Sequence, residues 1–276
     1  MRRRDIFFFI LVLIGGCTFF TNSKIVIKIN GSETMLRLIK RLTQEYSKEV
    51  KNIEFIVNPG GTGAGVRSLV ANETMISMVS RNLEPDEIKL VSEKYSTIGV
   101  STLIAKDALC IYVNISNPIN TLTMQEIRNI FLGNISNWKE LGWVDKPINV
   151  YLRNSSSGTR QMFQNLVLEN ENFLNNSTDF NSITDLLKAV EDDIYSITFS
   201  GIDINTNCKL VPLENIFPIK ENVYSGYYPL SRYLYFHTLN PPEGEIREFF
   251  NWVLSEKGQI IIEEENYFSL FDYKLD

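Results

Sequence analysis

The chain has almost no histidine. Its single imidazole, His237, leaves no set of histidines for a zinc site and argues against a Ser-His-Asp triad; His237 itself reads as an ordinary strand or surface residue. Cysteine is nearly as scarce. Cys17, Cys110 and Cys208 make an odd number, so at least one of them does something other than close an intramolecular bridge. Cys110 stands in an apolar run and reads as a small buried hydrophobe, while a Cys110–Cys208 bridge stays open as an option. A basic excess is missing too. The net charge is −6, and non-specific nucleic-acid binding needs clustered Lys and Arg, so nucleic acid is not an expected partner. A small anion is not excluded by that charge, because such a ligand depends on local donors. Low-complexity tracts and solenoid repeats are absent.

What is present is an ordinary globular composition over 276 residues, 44% hydrophobic and 22% charged. That length suits one large domain or two of common size. The N-terminus reads as an address. Arg2, Arg3 and Arg4 precede the apolar residues 6–14 (IFFFILVLI), and Gly15 and Gly16 lead to Cys17. This is the layout of a secretory signal peptide, and the run is short of the about 20 residues a spanning helix needs. Small residues directly before a cysteine resemble a lipobox, with Ile14 where leucine is usual. The expectation is a signal peptide over 1–16, a lipid on Cys17 and a tether over 17–23. The protein would then be exported and held on a bacterial membrane, facing the periplasm or the outside.

Beyond the tether, strand and helix patterns alternate. Residues 25–29 (IVIKI), 53–57 and 75–79 read as strands. Apolar residues at helical spacing follow the first two: Met35, Leu36, Leu38, Ile39, Leu42 and Tyr46, then Val66, Leu69 and Val70. Ser32 or Thr34 is the expected cap of the first helix. Further strands are predicted over 103–113, interrupted by Lys106-Asp107, and over 148–152 and 231–236. Helices are predicted over 123–132, capped by Thr123, from Met162 onward, and over 245–254. Residues 170–182 read as a loop. The alternation implies an α/β fold with a mainly parallel sheet.

Three strand-to-helix loops carry the same chemistry: Ser32–Thr34, Gly60–Gly65 and Ser155–Thr159. Each places hydroxyls and glycines before a helix, where free N–H groups and the positive end of the helix dipole favour an anion. Arg153 and Arg160 flank the third loop and can add charge-assisted bonds to an oxyanion. Asp107 interrupts an apolar strand, which is costly without partners. Two readings stand side by side: an acceptor for the proton that phosphate carries and sulfate lacks, or a turn or salt bridge with Lys106. An enzyme such as a phosphatase finds no support, since no nucleophile is paired with a base and no metal cluster is visible.

The loops also resemble a known family. Gly31-Ser32-Glu33-Thr34-Met35, Gly61-Thr62-Gly63-Ala64-Gly65, Ser80-Arg81 and Arg153 with Ser157-Gly158-Thr159-Arg160 are similar to the PstS phosphate-binding proteins of bacterial phosphate ABC transporters. So are residues 122–143, residues 225–236 with Tyr-Pro-Leu-Ser-Arg, and residues 249–270. The resemblance spans nearly all of the chain after Cys17. It implies a type II periplasmic-binding-protein fold, with two α/β lobes joined by a hinge around a ligand cleft. The lobes would be 24–104 plus 232–276, and 105–231. It also implies capture of inorganic phosphate for the permease subunits of an ABC importer, by a monomer without cofactor or metal. Thr34 and Met35 would bind through backbone N–H, Thr34 also through its hydroxyl, with Ser32, Thr62, Ser80, Arg153, Ser157, Gly158 and Thr159 completing the site. Arg81 stands where some members have a proton-accepting aspartate. That role would pass to Asp107, or Arg81 would bind the anion itself. The family's Gly-Tyr segment is replaced by residues 195–201 (YSITFSG), so looser packing is expected there. The competing readings are a binding protein for sulfate, molybdate or a phosphorylated metabolite, and a surface interaction lipoprotein that keeps the fold.

Overall fold

Alternating burial shapes the first strand, β1 (Ile25–Gly31): Ile27 and Ile29 are buried while Val26 and Lys28 face outward. The structure is a computed structural model that describes residues 24–202 and 206–271. The expected signal peptide, Cys17 and the tether lie outside the described residues. Parallel strands flank β1 on both sides, β2 (Ile53–Pro59) and β3 (Ile76–Val79). The sheet then continues through β9 (Ser231–Thr238), β4 (Val100–Val113), β7 (Ser196–Gly201), β5 (Asn149–Arg153) and β6 (Thr178–Phe180), while β8 (Lys209–Val211) pairs with β4.

The parallel pairing predicted from the alternation holds at the two outer parts, β2-β1-β3 and β7-β5-β6. In the middle, β3 with β9, β9 with β4 and β4 with β7 are antiparallel. The reason is connectivity: β4 carries the chain from one lobe to the other and β9 brings it back alongside. At 14 residues β4 is about 45 Å long, enough to serve both lobes. It is continuous through Lys106 and Asp107, with only a register shift between Leu103 and Ala105. Two large apolar cores result, beside a small separate cluster of Val66, Val70 and Val91. One gathers Ile27 through Ala105 and then Leu234 through Tyr267; the other gathers Ala108 through Leu230 and Phe268. The change of core along β4 and β9 therefore brackets Asp107 and Arg232.

Helices cover the sheet. The first lobe carries α1 (Leu36–Glu49), α2 (Thr62–Val70), α3 (Pro85–Tyr95), α8 (Gly244–Leu254) and α9 (Glu256–Glu264). The second carries α4 (Met124–Leu132), α5 (Gly158–Leu166), α6 (Ile183–Asp192) and α7 (Lys220–Ser225). The α1 face that the spacing marked is the buried one, with Leu38, Ile39, Leu42 and Tyr46 inside. Thr123 caps α4 as expected: its Oγ1 accepts the Glu126 N–H at 3.1 Å, and Glu126 accepts the Thr123 N–H at 2.7 Å. The stretch expected as a loop over 170–182 contains β6 and ends at Ser182, the cap of α6.

The looser packing expected over 195–201 is not found. All of β7 is buried, and Phe199 stacks on Phe163 with ring centroids 3.7 Å apart. No disulfide joins Cys110 and Cys208; burial pushes the Cys110 thiol well above its usual value, so it stays protonated.

Candidate functional site

The three hydroxyl-bearing loops meet where the lobes face each other. In the first, the chain leaves β1 and makes a 3-10 turn, Glu33–Met35, before α1. Neither Ser32 nor Thr34 caps the helix with its side chain, contrary to the expectation. Ser32 Oγ instead donates to Ser80 Oγ at 3.0 Å, and Thr34 Oγ1 lies 3.0 Å from Thr159 Oγ1 on the opposite lobe. The Met35 N–H closes the turn onto the Ser32 carbonyl at 3.2 Å. In the second loop, Gly61 takes φ +89°, a left-handed conformation that glycine adopts at little cost, and Thr62 opens α2. Thr62 Oγ1 accepts the Ser80 N–H at 3.3 Å and lies 3.3 Å from Ser80 Oγ. In the third, Ser157 caps α5 by accepting the Arg160 N–H at 3.3 Å, which leaves Gly158 and Thr159 in the helix's first turn. Amides there have no partner within the helix. Gly158 is pressed onto the first lobe: a Cβ at this position would stand 2.9 Å from Ser80 Oγ and closer still to Thr62 Oγ1.

Three buried arginines, Arg81, Arg153 and Arg232, and their acceptors surround this cage. Asp107 and Arg232 are directly opposite each other on β4 and β9. Arg232 donates to Asp107 Oδ2 through Nε at 2.9 Å and Nη2 at 2.6 Å, and the other carboxylate oxygen accepts the N–H groups of Ala108 at 2.8 Å and Ile202 at 3.3 Å. The same guanidinium reaches both lobes, with Nη1 on Thr159 Oγ1 at 2.9 Å and Nη2 on Thr34 Oγ1 at 3.4 Å. Arg153 donates through Nη2 to Glu33 Oε2 at 2.7 Å and to the Asn181 carbonyl at 3.0 Å. Burial pulls the Arg153 pKa below its ordinary value, against the opposing effect of Glu33. Arg81 forms a fork on Glu87 at 2.7 and 2.8 Å and donates Nε to Gln161 Oε1 at 2.5 Å. Burial raises the Glu87 carboxyl, but the Arg81 fork and the Glu84 N–H outweigh it and hold the pKa below the usual carboxylate value. Arg160 lies beyond the cage, on Asp179 at 2.7 Å and the Arg153 carbonyl at 2.6 Å.

Such a cage can take a tetrahedral oxyanion. It offers buried hydroxyl donors, two helix N-termini and arginines already neutralised by carboxylates, so binding does not depend on a large net charge. A cavity of about 390 Å³ adjoins it at Glu33, Thr34 and Gly201, with room for roughly a dozen waters at about 30 Å³ each, so the cage stays hydrated on that side.

The fold matches solved structures along most of its length. A Clostridium perfringens protein described as a phosphate ABC transporter substrate-binding protein, solved with bound phosphate, superposes with a TM-score of 0.82 at 25% identity, covering 90% of this chain and all of that one. An ABC-type phosphate transport receptor from Vibrio cholerae gives a TM-score of 0.70 at 27% identity, covering 88% and 99%. By sequence, the phosphate-binding protein PstS of Pseudomonas aeruginosa is 27% identical over 87% of this chain and 81% of its own length, and that of Borreliella burgdorferi 26% over 94% of each. Residues 20–257 match the model of the PBP superfamily domain. The chain belongs to the PBP superfamily.

Within this PBP-superfamily fold, the residues singled out from sequence do not all gather at one point. Ser32, Thr34, Thr62, Ser80, Gly158 and Thr159 converge on the cage, while the Ser157 side chain caps α5. Met35 contributes a backbone amide turned onto its own loop, and its side chain is in the core. Arg81 faces Glu87 and Gln161. Asp107 lies against Arg232, and the Lys106–Asp107 pair, one of the two readings left open for Asp107, is not formed. Neighbours along a strand point to opposite faces, and the Lys106 ammonium sits over the rings of Tyr224 and Tyr233. In the sequence Arg232 and Glu33 stand inside longer segments that resemble the family. Their signal was available: an arginine between Leu230 and Leu234 and an aspartate in an apolar strand are both costly alone, which makes them candidates to pair. His237 is buried away from the cage with its Nδ1 2.8 Å from Ser101 Oγ, and burial lowers its pKa, consistent with the ordinary role expected.

Proposed function

We propose that the protein captures inorganic phosphate in the interlobe cage and delivers it to the permease subunits of an ABC importer, without catalysing a reaction. The observation that carries this reading is the convergence of Ser32, Thr34, Thr62, Ser80, Gly158 and Thr159, drawn from four loops on two lobes, onto one buried cage. Relatives named as phosphate-binding proteins, and a neighbour solved with phosphate, support the choice of anion. The lobes would be 24–104 with 232–276, and 105–231, closing on the ligand by a hinge in β4 and β9. The protein acts as a monomer held at the membrane by a diacylglyceryl group on Cys17, the reading of the small residues before that cysteine.

The test is calorimetric titration of residues 18–276, unfolded and refolded to strip any ligand, with phosphate and separately with sulfate. One-to-one phosphate binding is expected, and a refolded protein that binds no phosphate would remove the reading. Arg153→Ala should weaken phosphate binding roughly 10- to 100-fold in the same titration, the range for one charge-assisted hydrogen bond; unchanged affinity takes Arg153 out of the site. Cys17→Ser should move the protein from the membrane fraction to the soluble fraction after cell breakage, and a variant that stays with the membrane rules out the lipid anchor.

A further inference from the structure

We propose that Arg232 is the residue that orients the cage's threonine hydroxyls toward the anion, and that Asp107 serves to hold Arg232 rather than to receive the ligand's proton. This rests on the phosphate reading above. The geometry is specific. Arg232 donates to Thr159 Oγ1 at 2.9 Å and to Thr34 Oγ1 at 3.4 Å, and those two oxygens are 3.0 Å apart. A hydroxyl has one proton. With both oxygens accepting from the guanidinium, one hydroxyl can donate to the other, and the second must send its proton elsewhere, which in this arrangement is the cage. The guanidinium therefore sets the direction of a donor that would otherwise rotate freely. It does so from β9, one of the two strands that link the lobes, while touching one threonine from each lobe, so the donor is set only when the lobes are together.

Asp107 has no acceptor direction left for a ligand. Its two oxygens already receive four N–H groups, two from Arg232 and one each from Ala108 and Ile202, and a carboxylate has about four such positions. A Cβ on Gly201 would stand 2.7 Å from Asp107 Oδ2 and 3.2 Å from Arg232 Nη2, so the backbone of β7 closes over the pair. Glu87 is taken up by the Arg81 fork and the Glu84 N–H. The cage therefore recognises a tetrahedral oxyanion mainly by donors, and neither Asp107 nor Glu87 is open to phosphate's own hydroxyl.

The full-length protein in detergent is titrated calorimetrically with inorganic phosphate and with sulfate, as wild type, Arg232→Lys, Thr159→Val, the double variant and Asp107→Asn, after thermal melting shows each is folded. Lysine keeps the charge but not the planar fork that reaches Asp107, Thr159 and Thr34 together. Each single variant at 232 and 159 should lose at least tenfold in phosphate affinity. The double variant should be no more than a few fold weaker than the worse single one, because both remove the same oriented donor. Asp107→Asn should lose phosphate affinity without gaining sulfate binding relative to phosphate. Wild-type affinity in Arg232→Lys, or losses that multiply in the double variant, would overturn the proposal. A tenfold or larger relative gain for sulfate in Asp107→Asn would also overturn it, since Asp107 would then be the proton acceptor. If Asp107→Asn does not fold, the 232–159 cycle decides alone. A wild type that binds phosphate while the cycle fails sinks only this inference; a wild type that binds no phosphate sinks the parent reading with it.

Discussion

Gly158→Ala should abolish tight phosphate binding while leaving both lobes folded. The added methyl would stand 2.9 Å from Ser80 Oγ and nearer to Thr62 Oγ1, both on the opposite lobe. Neither can retreat cheaply: both are fully buried, the Thr62 hydroxyl accepts the Ser80 N–H, and Ser32 Oγ also holds the Ser80 hydroxyl. The clash is therefore relieved by parting the lobes. Alanine is at least as acceptable as glycine in the first turn of a helix, so α5 itself loses nothing. The lobes separate without a large change in either core, and the cage that needs donors from both no longer exists as a unit. Holding the ligand groups even about 1 Å out of place can cost roughly a hundredfold where several contacts act together. The expected result is a loss of at least that size in the titration, a melting temperature within a few degrees of wild type, and no decrease in radius of gyration on adding phosphate by small-angle scattering. Wild-type affinity would mean that the lobes do not meet at Gly158 in the bound state.

How much of this was legible follows from the range of the interactions. The donor loops were readable because their logic is local: Gly, Ser and Thr between an apolar strand and an apolar-periodic helix define an N-terminus with spare donors, and that pattern is complete within about six residues of sequence. Even so, reading Ser32 and Thr34 as caps was the wrong local answer, because their partners, Ser80 and Thr159, are 48 and 125 residues away. The Asp107–Arg232 pair is of the same kind. Each member was visible as a charge in an apolar strand, but their pairing depends on the antiparallel register of β4 and β9, 125 residues apart. The mainly parallel sheet was half right for a related reason. Strand–helix alternation reports what happens within a lobe, and nothing local marks the strand that leaves it. Three-residue β6 was hidden in an Asn- and Ser-rich stretch, where composition favours a loop and only pairing to β5 makes a strand.

Arg232→Met should be the most destabilising single substitution at the site, and the reason separates stability from function. Asp107 is fully buried and Arg232 nearly so, at 0% and 5% exposed. Methionine fills much of the arginine's volume but leaves the carboxylate with only the Ala108 and Ile202 N–H groups. An uncompensated buried charge of this kind costs about 3–5 kcal/mol, which for a chain of this size lowers the melting temperature by roughly 6–20 °C. Replacing both members with apolar residues of similar size should return most of that loss, since a buried ion pair is often no better for stability than well-packed hydrophobes. The pair Asp107→Leu/Arg232→Met is therefore expected to melt close to wild type and still bind phosphate at least tenfold more weakly, because the threonine hydroxyls have lost the guanidinium that aims them. Thermal melting and titration on the three variants give the answer together. If the double variant binds as tightly as wild type, the pair is structural only. If Arg232→Met alone melts like wild type, Asp107 is not buried as a charge and the junction of β4 and β9 is held by something other than this pair.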